Sequence, residues 1–580
     1  MANSVLARLG RPGPALAIIA VLALAAALAG VFTLPVLDRD EARFVQATAQ
    51  MLQTGDFVEI NFLDEPRHKK PAGIHWLQAA AVAVTLSETG REIWAYRLPS
   101  VLGALLAAIA ACLAGARLIG RRAGFAAGAL LAVTVLLGSE AGIAKTDAFL
   151  CATAAWAFFA IAGLRTASGR REARMFALIV WVAMGIGVLI KGPVTPMAAG
   201  LCVLALIALE RRIDWAWPLA WWPAPLIGAG LTLPWLIAVQ LATGGAFLQE
   251  AVGQDLGPKL VSGHESHDGP PGYHLALLPV LFLPAIALLP AGLSAAAQRL
   301  RRGGAAAVGV KIALAFALPT WLVFELLPTK LPHYVLPAYP ALAVIAGLGL
   351  ARLKRAPAIW LQLGALLLIV GAAFAGPAVL VFLHLSAGTP FGPVAAACLA
   401  VMLFAFTAAV AVITRRATLA LALCVLTGLT WHAGARGVVA PAAAELFVSV
   451  RAAQAAMEVQ TAAPGADIVS TFTEPSLVFT LAGRVILTDP QALISVPVDP
   501  ALPRTYIIDE SRWLSPELGP LSEEDRAARM DWLSSLTEAA CASAAATGIN
   551  YSRGDDTIVV AVYVTGCPET LEESEDEPQD

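Results

Sequence analysis

The sequence predicts a polytopic α-helical membrane protein with a small α/β domain at its C-terminal end, and three observations predict it. The chain of 580 residues is 58% hydrophobic and 14% charged, whereas soluble domains sit near 45–50% and about 25%. Its apolar residues gather in runs of roughly 16–25, the length a helix needs to cross about 30 Å of hydrocarbon. Its arginines gather in alternate connections between those runs. Disorder, a disulfide scaffold and a water-soluble multidomain protein are excluded as global descriptions. The net charge of −3 identifies no partner, because charge is segregated by membrane side.

The first run, 15–37, follows Arg8 and Arg11. It is longer than the apolar core of a cleavable signal peptide and reads as a retained first helix. Further runs lie at 98–116, 123–144, 147–164, 175–191, 194–209, 216–240, 273–297, 305–327, 336–351, 357–384, 391–413 and 418–440. The expectation is therefore about 13 transmembrane helices. Arg117/Arg121/Arg122, Arg165/Arg170/Arg171/Arg174, Arg211/Arg212, Arg299/Arg301/Arg302, Arg352/Lys354/Arg355 and Arg415/Arg416 mark one basic side with Arg8 and Arg11. By the positive-inside rule that side is the cytoplasm. An odd number of spans then places the N-terminus in the cytoplasm and the C-terminus opposite.

Composition changes near 441. The segments 467–473, 476–482, 505–509 and 557–564 read as strands and 522–546 as an amphipathic helix. The expected division is a transmembrane domain over 1–440, with far-side loops 38–97 and 241–272, an α/β domain over 441–570, and an acidic tail, 571–580, expected to be disordered. The seven cysteines form no CxxC pair, so zinc spacing is absent. Five of them, at 112, 151, 202, 398 and 424, fall in predicted spans. Cys541, on the predicted helix, and Cys567, after the last strand, face an oxidising compartment and are expected to pair.

The non-cytoplasmic face holds an unusual density of ionisable residues. In the first loop, DEARFVQATAQML, from Asp40 to Leu52, has helical spacing, consistent with an interfacial helix. Asp40 and Arg43 share one face of it. Asp40 and Glu41 also suit a helix N-terminus that pairs with Arg43, and local pattern does not separate that reading from a functional one. The cluster Arg67-His68-Lys69-Lys70-Pro71 runs against the positive-inside bias and suits phosphate, or else a solvated juxtamembrane patch. Lys145 and Asp147 flank a turn, Lys191 ends a span, and Lys330 and Tyr334 lie in TKLPHYVLP. Ionisable groups at membrane depth are functional or paired. A structural Lys145–Asp147 pair and a snorkelling Lys191 are the plainer alternatives. His264 and His267, in GHESHDGPPGYH, are candidate ligands for a divalent metal.

DEAR, then KKP about thirty residues later, KTDAF, KGP and TKLPHYVLP together resemble the ArnT-like lipid-A glycosyltransferases of the GT-C superfamily, which also holds the protein O-mannosyltransferases. The resemblance implies a GT-C fold with a periplasmic α/β domain in a bacterial inner membrane. It also implies an enzyme that moves a sugar from a polyprenyl (undecaprenyl) phosphate to lipid A or another envelope acceptor. By matching motif, Asp40 would be the catalytic carboxylate and Arg43, Lys70 and Tyr334 would hold the donor phosphate. Glu41, Asp147, Lys191 and Lys330 join them as candidate substrate-binding residues. The family's EKPP motif carries a metal-binding glutamate where this chain has Lys69. That departure leaves the metal unassigned and leaves a hexose or uronic acid open beside aminoarabinose as donor sugar. The alternatives are a protein O-mannosyltransferase-like enzyme, a lipid-linked sugar transporter and a sensory membrane protein. A transporter would place its charges at the midplane with internal repeats, and a sensor would not need charges gathered from five loops. No groove-reading motif points to nucleic acid.

Overall fold

The computed structural model describes residues 12–87, 90–257, 269–515, 521–551 and 555–568. Two compact units result: Met1–Leu34 with Ala47–Ala442, and Pro35–Gln46 with Ala443–Asp580. A piece of the first loop therefore belongs with the C-terminal unit. The predicted tail 571–580 and the pair His264 and His267 lie outside the described residues.

In the first unit, nine helices among the described residues are long and apolar enough to cross a membrane: Ile93–Leu118, Asp147–Arg165, Arg170–Lys191, Pro223–Ala242, Ala305–Leu326, Pro332–Arg355, Ala358–Ala387, Phe391–Ile413 and Ala417–Ala442. A tenth crossing results if Arg121–Ala132 and Val135–Ala141, bent by 55°, form one span. The protein is thus a multi-pass, mostly helical membrane protein. The runs expected at 15–37 and 194–209 form the shorter helices Pro12–Ala27 and Val194–Glu210, and the run at 273–297 is broken into Tyr273–Leu281, Ala285–Ala287 and Leu289–Arg302. Pro284 and Pro290 sit at that break, where a proline removes a donor and crowds the preceding turn.

Small residues let these helices meet. A Cβ at Gly115 would lie 2.8 Å from Gly124 Cα, and one at Gly73 would lie 2.6 Å from the Leu189 carbonyl oxygen. Lipid offers no hydrophobic drive toward helix pairing, so close backbone approach and dispersion must supply it. At the 55° bend the released backbone groups find partners: Val135 N–H donates to Leu283 O at 2.9 Å, and His432 Nε2 lies 3.2 Å from Thr134 O. Unsatisfied backbone groups at membrane depth cost several kcal/mol, on the order of 2–7 each, so the bend is built in.

The first loop forms the helix Asp40–Thr54 and a short hairpin, β1 (Asn61–Phe62) and β2 (Glu65–Pro66). In the second unit five strands, β3 (Asp467–Ser470), β4 (Ile486–Leu487), β5 (Arg504–Asp509), β6 (Ala542–Asn550) and β7 (Asp555–Thr565), form one sheet in the order β4-β3-β5-β7-β6. β3 pairs parallel with β4 and β5, and β7 pairs antiparallel with β5 and β6. Two expectations are corrected. The stretch 476–482 is not a strand, because Pro475–Thr480 is a helix, begun by a proline that suits the first helical position. The predicted helix 522–546 ends at Ala539, and Ala542–Asn550 is the edge strand β6. Cys541 therefore sits at the lip of β6 rather than on the helix, and it is bonded to Cys567.

Candidate functional site

The turn between the bent helix pair and Asp147–Arg165 is the centre of the site. It is fastened through its carbonyls. Ser100 Oγ donates to Ile143 O at 2.7 Å and Lys145 O at 3.1 Å, and Gln78 Nε2 donates to Ala144 O at 3.1 Å. Thr48 Oγ1 in turn donates to Gln78 Oε1 at 2.7 Å. Ser100, Gln78 and Thr48 are buried, so hydrogen bonds to the backbone, rather than solvent, hold the turn in place.

Four ionisable side chains converge there. Lys191 Nζ donates to Asp147 Oδ1 at 2.6 Å, and Lys145 Nζ lies 2.9 Å from Glu140 Oε2 and 3.7 Å from Asp147 Oδ2. His333, from the short helix Pro332–Ala338, joins them, with Nε2 3.7 Å from Asp147 Oδ1 and Nδ1 3.8 Å from Glu140 Oε1. The Lys191 ammonium also lies 5.5 Å from the centre of the Tyr334 ring, within cation–π range. Glu140 and Asp147 side chains are 8% and 5% exposed, a burial that requires pairing.

Glu140, Asp147 and His333 present ligand atoms within 4.8 Å of one another, which suits a divalent ion in ligand type. Two ammonium groups already lie against the carboxylates, however, and supply the positive charge that an ion would bring. These groups form two crossed ion pairs bridged by an imidazole.

The other predicted residues sit as follows. Lys70, half-buried, precedes Gly73, whose backbone packs on Leu189 two residues before Lys191; the KKPAG glycine thus draws the Lys70 segment toward the end of Arg170–Lys191. His68 is buried between Glu59 (3.7 Å) and Glu250 (3.2 Å). Lys330 Nζ donates to Gly269 O at 2.9 Å and Leu327 O at 2.8 Å, so its contacts fasten a loop. Asp40, Glu41 and Arg43 occupy the first turn of Asp40–Thr54 within the second unit. Asp40 is exposed and Glu41 buried, with Glu41 Oε2 accepting the Leu37 N–H at 2.9 Å.

Two residues escaped the sequence reading. Glu140 is the acid at the end of the apolar run 123–144, a signal that intramembrane charge alone should have raised. His333 stands inside TKLPHYVLP, between Lys330 and Tyr334.

This architecture and its buried charge cluster define a class first: a multi-pass, mostly helical membrane protein with a charged cluster buried among its helices. The structure superposes on ArnT from Cupriavidus metallidurans in the apo state with a TM-score of 0.71, covering 97% of this chain and 98% of that one at 17% identity. The same protein bound to undecaprenyl phosphate gives a TM-score of 0.69, with 94% and 97% covered. Residues 69–237 match the family described as dolichyl-phosphate-mannose-protein mannosyltransferase. The undecaprenyl phosphate-alpha-4-amino-4-deoxy-L-arabinose arabinosyl transferase of Pseudomonas aeruginosa (strain UCBPP-PA14) is 30% identical over 352 residues, which are 60% of this chain and 61% of that protein. Transferase 2 of Pseudomonas fluorescens (strain Pf0-1) is 28% identical over 347 residues, 57% of this chain and 59% of that protein. The chain thus spans about 60% of the length of the curated relatives it matches. The resemblance carried by DEAR, KKP and TKLPHYVLP is borne out in sequence similarity and in fold.

Proposed function

We propose that this protein is a bacterial inner-membrane glycosyltransferase that moves a sugar from undecaprenyl phosphate to lipid A or a related envelope acceptor at the periplasmic face. The observation that carries the reading is the buried cluster of Lys145, Asp147, Lys191, Glu140 and His333 beside Tyr334, in a chain similar to aminoarabinose transferases. In this reading the shorter helices and the broken run complete 13 crossings, with the N-terminus cytoplasmic and the C-terminus periplasmic. Residues 1–440 form the transferase domain and 441–570 the periplasmic domain.

The chemistry follows from charge. Two ammoniums against two carboxylates sum to zero, so the cluster by itself does not attract a phosphate. Lys70 tips the balance to net positive, and Arg43 remains a candidate cation for the donor phosphate. When the bond between the sugar's anomeric carbon and the phosphate oxygen breaks, both electrons go to the phosphate, and preorganised cations stabilise the added charge. A lysine ammonium has three donors; Asp147 takes one from Lys191 and orients the rest toward the donor beside the Tyr334 hydroxyl. Asp40, exposed at the start of its helix, takes the proton of an attacking hydroxyl or, toward a phosphate acceptor, acts through its charge. Glu41 sets the helix start, and Lys330 sets the loop it fastens. His264 and His267 remain the candidates for a divalent metal in the second long loop.

Purified protein incubated with a labelled undecaprenyl-phosphate sugar and lipid A should transfer label, and Asp40→Asn should abolish transfer while the thermal transition stays near that of the wild type. Label moved to a co-incubated protein instead of lipid A would favour the protein mannosyltransferase-like reading that the match over 69–237 suggests. Wild-type turnover by Asp40→Asn would refute the assignment.

A further inference from the structure

Asp38 lies two residues before Asp40 and outside the DEAR motif. It is 9% exposed, and its partners all come from the α/β unit. Its Oδ1 accepts hydrogen bonds from Ser449 Oγ at 2.9 Å, on the helix Val448–Val459, and from Ser476 Oγ, on Pro475–Thr480. Its backbone N–H donates to the Tyr551 hydroxyl oxygen at 2.9 Å. Ser449 and Ser476 are themselves 1% and 0% exposed.

The turn that follows is fastened on both sides. Arg39 has φ 60, a left-handed conformation that a non-glycine residue keeps only when its surroundings impose it. Glu41 holds the Leu37 N–H, and Arg43 N–H donates to Arg39 O at 2.9 Å. Asp40 is left exposed at the tip. Burying a carboxylate is unfavourable, and burial pushes the Asp38 carboxyl up to about 6 against the Ser476 bond, with Glu474 raising it further and Ser449 and Arg39 opposing. Glu474 is occupied by Asn550 Nδ2 at 3.0 Å. An apolar residue would fill the space at lower cost, so the carboxylate is explained by the conformation it imposes.

We propose that Asp38 is a positioning residue: through Ser449 and Ser476 the α/β unit sets the turn that presents Asp40 to the substrate. The proposal rests on the reading of Asp40 as the catalytic carboxylate. It gives the α/β unit a role in catalysis, and it makes the two serines determinants of turnover although neither touches substrate.

The test uses the full-length protein in nanodiscs with the undecaprenyl-phosphate sugar donor. Ser449→Ala with Ser476→Ala should lower kcat about tenfold or more, since small misplacements of a reacting group cost up to about a hundredfold. Donor KM should rise by less than kcat falls, because Arg43 lies on the same turn whereas Lys70 and Tyr334 do not. Asp38→Asn keeps an acceptor oxygen in the same shape and should retain most of the kcat that Asp38→Ala loses. Asp489→Ala is the control: it removes the cap of the helix Pro490–Ile494 in the same unit and should leave kcat unchanged. Hydrogen–deuterium exchange of the segment 37–43 should accelerate in the double serine variant. Wild-type kcat in both the serine variant and Asp38→Ala overturns the proposal, as does an equal loss in Asp489→Ala. A wild-type protein that transfers no sugar refutes the proposed function instead; the exchange measurement then decides alone, and unchanged exchange over 37–43 overturns the positioning role. If Asp38→Ala does not fold, the serine variant and Asp38→Asn carry the same decision.

Discussion

Asp147 concentrates the electrostatics of the site in one carboxylate, with Lys191 at 2.6 Å, Lys145 at 3.7 Å and His333 at 3.7 Å. Removing one partner of a buried pair leaves an uncompensated charge, at a cost of about 3–5 kcal/mol. Lys191→Met should therefore lower the thermal transition of the membrane unit, and adding Asp147→Asn should restore part of it; calorimetry of the single and double variants checks this. Asp38 contributes a pH dependence of its own. Its folded carboxyl titrates near 6 against an ordinary 3.8, so between those values the folded state binds the extra proton. Stability from this group is then greatest below about 4 and falls as pH rises through about 6, at about 1.4 kcal/mol per unit of displacement. In Asp38→Asn that slope should vanish, seen as a difference in thermal transition between variant and wild type over roughly pH 4–7.

At the scale of elements, close backbone approach does what side chains cannot. Gly73 begins a helix whose backbone lies against Leu189, and the same packing draws the Lys70 segment to the end of Arg170–Lys191. Gly73→Leu must push these helices apart. We expect donor KM to rise at least several-fold, with a smaller effect on kcat, because Lys70 would hold the donor phosphate in ground and transition states alike. Steady-state kinetics against donor concentration is the check. The bend at Val133–Thr134 is a second such device. It turns Val135–Ala141 so that Glu140 and the pinned turn Ile143–Lys145 meet Lys191 and His333 rather than continuing into the membrane.

At the scale of the whole chain, the two units are stabilised by different means. The membrane unit rests on alanine and glycine packing, and the α/β unit on a five-stranded sheet and the Cys541–Cys567 bond. The bond closes a sequence separation of 26, a loop whose restraint in the unfolded chain contributes about 3 kcal/mol. It joins the lip of β6 to the end of β7, where Cys541 N–H already donates to Val564 O at 2.9 Å. Reduction, or Cys541→Ser with Cys567→Ser, should lower the unfolding transition of the α/β unit and leave the membrane unit's transition in place. The buried thiols at 112, 151, 202 and 424 should remain unmodified by an alkylating agent in the folded protein.

Hydropathy and arginine placement by themselves determined the multi-pass helical architecture, because the cost of burying unpaired backbone in lipid leaves a long apolar run hardly any alternative to a helix. The loop motifs likewise marked Lys145, Asp147, Lys191 and Tyr334, since ionisable side chains are conspicuous in an apolar chain. Tertiary structure decided the rest. The alanine-rich stretch from Ala542 has high helix propensity yet pairs as β6, because β7 offers it an antiparallel ladder from Ala542 to Gly548 and strand preference follows from pairing more than from composition. SLVFT, with no strong period, is a helix because Pro475 starts it. Ser100, Gln78 and Thr48 left no mark in the sequence, since they fasten backbone carbonyls directly or through one another, and so did Asp38, whose partners lie more than 400 residues away, at Ser449 and Ser476. Which charges meet is a matter of three-dimensional proximity, and one-dimensional pattern reports it only where the chain itself makes the contact.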